Sequence, residues 1–200
     1  MTESYVDKLA MINNKIHGSI WTDADECELI AEIIREAGDG LHLEIGTAHG
    51  GTAIVAGLVK KEYGISGGVV TIDPMVGGWW DHGDGNGDTP TRQTVLDNIS
   101  KFDIDCTSIV GYSQDIIPAN DFKPVTTFID GDHSHWGCLW DWNLVKDITE
   151  KFVIFHDYNF DNPKLAGVIK VVDEIASIDS EWQRYKEVNR VVVFKRLEYD

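Results

Sequence analysis

The chain has 200 residues with 17 basic and 34 acidic side chains, a formal net charge of −17, and such a surface repels phosphate backbones and anionic bilayers, which argues against nucleic-acid and membrane partners. That length can bury one sizeable core, so a single domain spanning residues 1–200 is expected, with residues 1–22 as a lead-in. Cys27, Cys106 and Cys138 lie far apart in apolar segments and read as reduced thiols, the first twenty residues hold no apolar h-region, and no run reaches membrane-spanning length, so a cytoplasmic protein is expected.

The polar lead-in carries a short helix over residues 5–12 and a segment over 16–21. Asp23 and Glu26 then have capping-box spacing ahead of Cys27, Ile30, Ile34 and Ala37, which recur at helical intervals and stop at Gly38 and Gly40. A short apolar strand over 41–45 ends in the glycine-rich turn Gly46 to Gly51 and runs into a helix over 52–63. Such a turn leaves the free N–H groups of the next helix facing a ligand in the crevice. Gly67 and Gly68 open a second strand, 69–72, completing a right-handed βαβ unit. It ends at Asp73, whose carboxylate suits a ribose diol; an Asp before Pro74 can also cap a turn, but the shared context with Glu44 to Gly51 favours the ligand.

Residues 75–90 include Gly77, Gly78, Trp79 and Trp80 and read as a lid or binding loop. The tryptophan pair would cover a ligand or stack on a sugar ring, or anchor the loop to the core. Asp84, Asn86 and Asp88 alternate as in a calcium loop, but Thr89 and Val95 stand where that loop needs glycine and glutamate, so the segment reads as solvated and acidic.

A helix over 91–101 leads to a third strand, 107–110, followed by Gly111, Tyr112, Ser113, Gln114 and Asp115. Ser113 and Gln114 could meet a base edge, or serve ordinary turn chemistry. A fourth strand, 125–129, ends in Asp130, Gly131, Asp132 and His133, and the helix after it carries Trp136, Leu139, Trp140, Leu144 and Ile148, whose spacing reads as core. The fifth strand, 152–155, ends in His156 and Asp157; past Pro163 a helix aligns Val168, Val171, Val172 and Ile175. Strands 182–188 and 191–194 flank Asn189 and Arg190 as an antiparallel hairpin.

Every polar cluster follows a strand, and in an open α/β sheet the carboxyl ends of the strands share one edge, so the clusters converge. On Glu44, Gly46 and Gly50, with Ala48 in place of the middle glycine, on Asp73 and on the closing hairpin, the chain resembles the class I methyltransferases that use S-adenosylmethionine. The stretch 128–134 paired with 155–158 resembles the branch containing small-molecule O-methyltransferases, rhamnosyl methyltransferases and cephalosporin hydroxylase-like proteins. The resemblance covers residues 24–196 and implies a three-layer Rossmann-like fold with strand order 3-2-1-4-5-7-6 and an antiparallel last strand.

It further implies a cofactor site built from Glu44, Gly46, Thr47, Ala48, Gly50, Asp73, Ser113, Gln114 and Asp130, with the methionine end over Gly46 and Glu44, the ribose on Asp73 and the adenine near Ser113 and Gln114. Members of this branch commonly recruit a divalent cation, and Asp130, Asp132, His156 and Asp157 would supply oxygen and imidazole ligands for Mg²⁺ or Mn²⁺. His133 is the candidate base for a small-molecule acceptor hydroxyl, with His156 as rival. The plainer alternative is that Asp130 caps a turn, Asp132 caps the next helix and His156 is a satisfied interior histidine. Two other functions use the same residues: a non-catalytic cofactor- or sugar-binding module, and a metal-dependent hydrolase acting through Asp130 and Asp157. A homo-oligomer is left open.

Overall fold

The computed structural model describes residues 4–76, 90–159 and 166–197; Trp79, Trp80, Asp84, Asn86, Asp88 and Pro163 fall outside them, and with them the lid, calcium-loop and sugar-stacking readings. Seven strands, β1 (Leu41–Ile45), β2 (Val69–Asp73), β3 (Cys106–Val110), β4 (Pro124–Ile129), β5 (Phe152–Phe155), β6 (Trp182–Val188) and β7 (Val191–Arg196), form one sheet in the order β3-β2-β1-β4-β5-β7-β6. The inner pairs are parallel, whereas β7 runs antiparallel between β5 and β6. This is the expected Rossmann-like methyltransferase topology.

Local sequence explains the elements. The helix α1 (Tyr5–Asn13) is capped by Ser4, and α2 (Ala24–Ala37) starts with the expected capping box between Asp23 and Glu26. The helix α3 (Gly51–Tyr63) begins directly after the glycine turn, and α4 (Arg92–Ser100) is capped by Thr91. Ser113 and Gln114 open a single helical turn, α5 (Ser113–Ile116); α6 (His135–Val145) and α7 (Ala166–Ile178) complete the helices. No described helix is long and apolar enough to cross a membrane.

Alternation along the strands divides the core into two layers. Leu43, Ile45, Val153 and Phe155 face α6 and α7, while Phe128, Phe152 and Ile154 face α2 and α3. Burying each such side chain stabilises the fold by about 1.5–3 kcal/mol. Cys27 and Cys138 are buried and Cys106 is partly buried; all three are free thiols.

The aromatic residues of α6 depart from expectation. Trp142, not Trp136 or Trp140, is the core tryptophan, packed edge-on against Trp182 and beside Phe155 and Phe194. Cys138, Trp142 and Val145 recur at four and three residues and define the inward stripe. That leaves Trp136 and Trp140 turned outward, 76% and 57% exposed.

Candidate active site

The turn after β1 is built on one glycine and one departure from glycine. Gly46 has φ +93°, and a Cβ there would run into the backbone carbonyl of Asp130, because β1 and β4 are adjacent and Asp130 N donates to Ile45 O at 2.8 Å. Ala48 also sits in the left-handed region, at φ +46°. The backbone N–H groups of Thr47 and Ala48 donate to Asp73 Oδ2 at 2.9 and 3.2 Å, and Met75 N donates to Asp73 Oδ1 at 2.7 Å. Asp73 thus lies on the crevice wall and also makes the turn contact of the plainer reading. A carboxylate offers about four lone-pair sites, so three N–H donors leave about one for a ligand.

Beneath the turn, Thr71 Oγ1 donates to Glu44 Oε1 at 2.8 Å and lies 2.5 Å from Thr47 Oγ1. Glu44 is fully buried and its Oε2 has no hydrogen-bond partner among the described residues. Burial pushes its carboxyl up to about 8, against the Thr71 hydrogen bond and with the Asp130 and Asp73 carboxylates adding to the rise.

A cavity of about 370 Å³ opens at this edge, lined by Gly46, Ala48, Asp73, Ser113, Gln114 and Asp130 among the expected cofactor residues, and by Asp132 and His133. Glu44, Thr47 and Gly50 do not line it. Glu44 supports the turn from below, Thr47 contributes its backbone N–H, and Gly50 is the left-handed N-cap of α3. Val76, Tyr112 and Trp140 line the mouth, each close to half exposed. Asp141 is a wall residue that sequence reading missed. Ser113 Oγ donates to its Oδ1 at 2.5 Å, and burial pushes its carboxyl up to about 6, opposed by Ser113 and aided by Asp132. The available signal was the one acid of the helix, set between Trp140 and Trp142.

Beside the cavity, one ligand atom each from Asp130, His156 and Asp157 lies within 4.8 Å of the others. His156 Nδ1 is 3.1 Å from Asp130 Oδ1 and 3.5 Å from Asp157 Oδ1. His133 Nε2 is 3.2 Å from both Asp130 Oδ1 and Asp157 Oδ2. Asp157 holds φ +59°, a conformation costly for a non-glycine residue and characteristic of functional sites. Asp132 is not brought into this group. Its Oδ1 instead accepts from Ser134 N at 2.9 Å, a turn contact ahead of α6; the N-cap of that helix is Ser134, whose hydroxyl accepts from Gly137 N at 3.1 Å, so Asp132 is neither grouped with the other three nor the helix cap.

Burial alone would lower both imidazoles, but hydrogen bonds and charge from Asp130 and its neighbours raise His133 and His156 to about 10. Burial would likewise raise Asp130, yet the two histidines hold it below the ordinary carboxylate range. Sequence reading also missed Glu26 and Arg190. Glu26 is fully buried; burial would raise its carboxyl, but hydrogen bonds from His156, the Asp23 backbone and Arg190 hold it near 2. Glu26, Asp130 and Asp157 thus face Arg190 and two imidazoles. Two imidazolium protons and one divalent cation are interchangeable in this balance, and two carboxylates with one imidazole form a donor set that fits such a cation.

A family model described as a methyltransferase domain matches residues 43–158, from within β1 to just past the end of β5. The chain belongs to the methyltransferase-domain family. Several solved structures share the fold of this methyltransferase-family chain. The O-methyltransferase NovP shares 17% identity at a TM-score of 0.70, over 86% of this chain and 79% of that one. The O-methyltransferase TomG from Streptomyces achromogenes, involved in tomaymycin synthesis and solved with S-adenosylmethionine, shares 14% at 0.66, over 98% and 91%. An O-methyltransferase from Bacillus cereus, solved with S-adenosylhomocysteine, shares 14% at 0.63, over 99% and 92%. At these identities the likeness is one of fold. No curated protein sequence matches significantly.

Proposed function

We propose that this chain is an S-adenosylmethionine-dependent O-methyltransferase acting on a hydroxyl of a small molecule, sugar or natural-product-like, with Mg²⁺ or Mn²⁺ held by Asp130, His156 and Asp157. One observation carries the reading: Asp130 belongs at once to the cavity wall and to the cluster of candidate cation ligands. Family membership and the cofactor-bound fold relatives support it, and the cavity falls in the size range of small-molecule sites, about 300–1,000 Å³. The motif pairing of residues 128–134 with 155–158 supports the acceptor class through its resemblance to rhamnosyl methyltransferases.

Methyl transfer is an in-line displacement: the acceptor oxygen's lone pair forms the new C–O bond, the sulfur–carbon bond breaks with its electrons going to sulfur, and the hydroxyl proton must leave. Positioning therefore dominates. The turn over Gly46 and Ala48 carries the methionine end, the lone pair that Asp73 has left takes one ribose hydroxyl, and Ser113 and Gln114 meet the adenine edge. A divalent cation at Asp130, His156 and Asp157 would lower the pKa of an acceptor hydroxyl brought against it. His133, rather than His156, is the base, because it lines the cavity while His156 is 2% exposed between Glu26 and Asp130. In the ion-free chain His133 is protonated, so it accepts a proton only once Asp130 and Asp157 share their charge with another partner.

Titration calorimetry with S-adenosylhomocysteine tests the cofactor: micromolar binding is expected, and no heat at millimolar ligand overturns the reading. Mass spectrometry of sugars and phenols incubated with the methyl donor and Mg²⁺ tests the reaction.

A further inference from the structure

We propose that Glu26 is a positioning residue for the candidate cation group, fixing from helix α2 which nitrogen of His156 faces Asp130 and Asp157. The inference rests on the reading of Asp130, His156 and Asp157 as a cation site. A capping-box glutamate needs only one oxygen for its cap, here Oε2, which accepts from Asp23 N at 2.9 Å. Glu26 does far more. Its Oε2 also meets His156 Nε2 at 3.4 Å, across 130 residues of sequence, and Oε1 accepts from Arg190 N and Nε at 3.1 and 3.0 Å, while Arg190 Nη2 reaches Oε2 at 3.0 Å.

The consequences follow from donor and acceptor chemistry. A carboxylate gripped by a guanidinium fork is ionised and can only accept, so the Nε2 facing it carries the hydrogen. Nδ1 is then the nitrogen that can give up its proton to leave a lone pair, and it is the one turned toward Asp130 Oδ1 at 3.1 Å and Asp157 Oδ1 at 3.5 Å. The same guanidinium reaches the second carboxylate: Arg190 Nη1 donates to Asp157 Oδ1 at 3.3 Å, and Tyr158 N donates to Arg190 O at 2.9 Å, tying the end of β5 to the hairpin turn. Glu26 therefore sets the tautomer and ring angle of His156 directly and the carboxylate of Asp157 through Arg190.

The test is Mn²⁺ titration of the full chain, unsubstituted and as Glu26→Gln, with S-adenosylhomocysteine binding measured alongside because Glu26 does not line the cavity. Removing an outer-shell partner weakens metal affinity by about 10–100-fold, so that loss is expected for Mn²⁺ with cofactor affinity unchanged. Equal Mn²⁺ affinity in both proteins overturns the role of Glu26 alone; no Mn²⁺ binding by the unsubstituted protein overturns the cation site and this inference with it. Should Glu26→Gln misfold through the charge left on Arg190, the double variant Glu26→Gln/Arg190→Gln removes both charges. Wild-type Mn²⁺ affinity there reduces Glu26 to a structural counter-ion and overturns the proposal, while persistent weakening supports it. Nitrogen-15 spectra of the Mg²⁺-loaded chain give a readout that structure alone would not move: His156 is expected as the Nε2–H tautomer, and the Nδ1–H tautomer overturns the proposal.

Discussion

The backbone N–H of Ala48 donates to Asp73 Oδ2 at 3.2 Å, so the residue standing in place of the family's middle glycine is held in the left-handed region by the carboxylate at the end of the neighbouring strand. Ala48 pays roughly 1–2 kcal/mol for that conformation, and a glycine would relieve it while losing about 0.5–1 kcal/mol to greater freedom in the unfolded chain. Ala48→Gly is therefore expected to leave stability within about 1 kcal/mol of wild type and cofactor binding within threefold. Ala48→Val, β-branched at positive φ, should cost more than 1 kcal/mol and weaken binding. Urea unfolding and S-adenosylhomocysteine titration check both; a valine variant equal to wild type would contradict the strain.

Asp73 serves the turn and the crevice together. Asp73→Ala strips the acceptor from the N–H groups of Thr47, Ala48 and Met75, so a loss of about 1–3 kcal/mol in stability should accompany a tenfold or greater loss of S-adenosylhomocysteine affinity. A variant that loses neither would show that the carboxylate is dispensable to both. Calorimetric titration with thermal unfolding on the same samples separates the two effects.

Cation affinity should climb with pH. With His133 and His156 raised to about 10 in the ion-free chain, binding must displace protons, so between pH 6 and 9 the affinity for Mg²⁺ or Mn²⁺ rises by up to about tenfold per pH unit for each proton released. Calorimetry in buffers of different ionisation enthalpy counts those protons. A flat profile would mean that the imidazoles are already neutral.

His42 should make the fold acid-sensitive. Burial and the Lys60 charge lower it from 6.5 to about 3, and its Nδ1 is 2.7 Å from Thr126 Oγ1. Below pH 6.5 the unfolded chain takes up a proton that the folded chain refuses, so this contribution is complete above 6.5 and shrinks as pH falls toward 3. The full effect is on the order of 4–5 kcal/mol. Urea unfolding at pH 7 and pH 5 should show a steeper loss in the wild type than in His42→Gln, and equal slopes would refute the assignment.

Local pattern made much of the fold legible. The short apolar runs of β1 and β5, the helical spacing after Asp23, the glycine turn and the Asn189–Arg190 hairpin each depend on neighbours a few residues apart, and resemblance supplied the strand order. Where local pattern admits two faces it failed: α6 offered several tryptophans at helical spacing, and only packing against Phe155, Trp182 and Phe194 selected Trp142 for the core.

The site divides in the same way. Convergence of Asp73, Asp130, His133, His156 and Asp157 at one sheet edge followed from their places after parallel strands, because the carboxyl ends of such strands share an edge. The partners of those residues did not follow. Glu26 reaches His156 across 130 residues and Arg190 across 164, and Ser113 reaches Asp141 across 28. In sequence Glu26 is a helix cap, Arg190 a turn residue and Asp141 a polar interruption. Sequence by itself determined which groups at the strand ends arrive at the crevice, since strand and turn periodicity are local; tertiary structure alone brought in Asp141 from α6 and decided which carboxylate grips which imidazole, since that depends on how α2, α6, β5 and the closing hairpin pack.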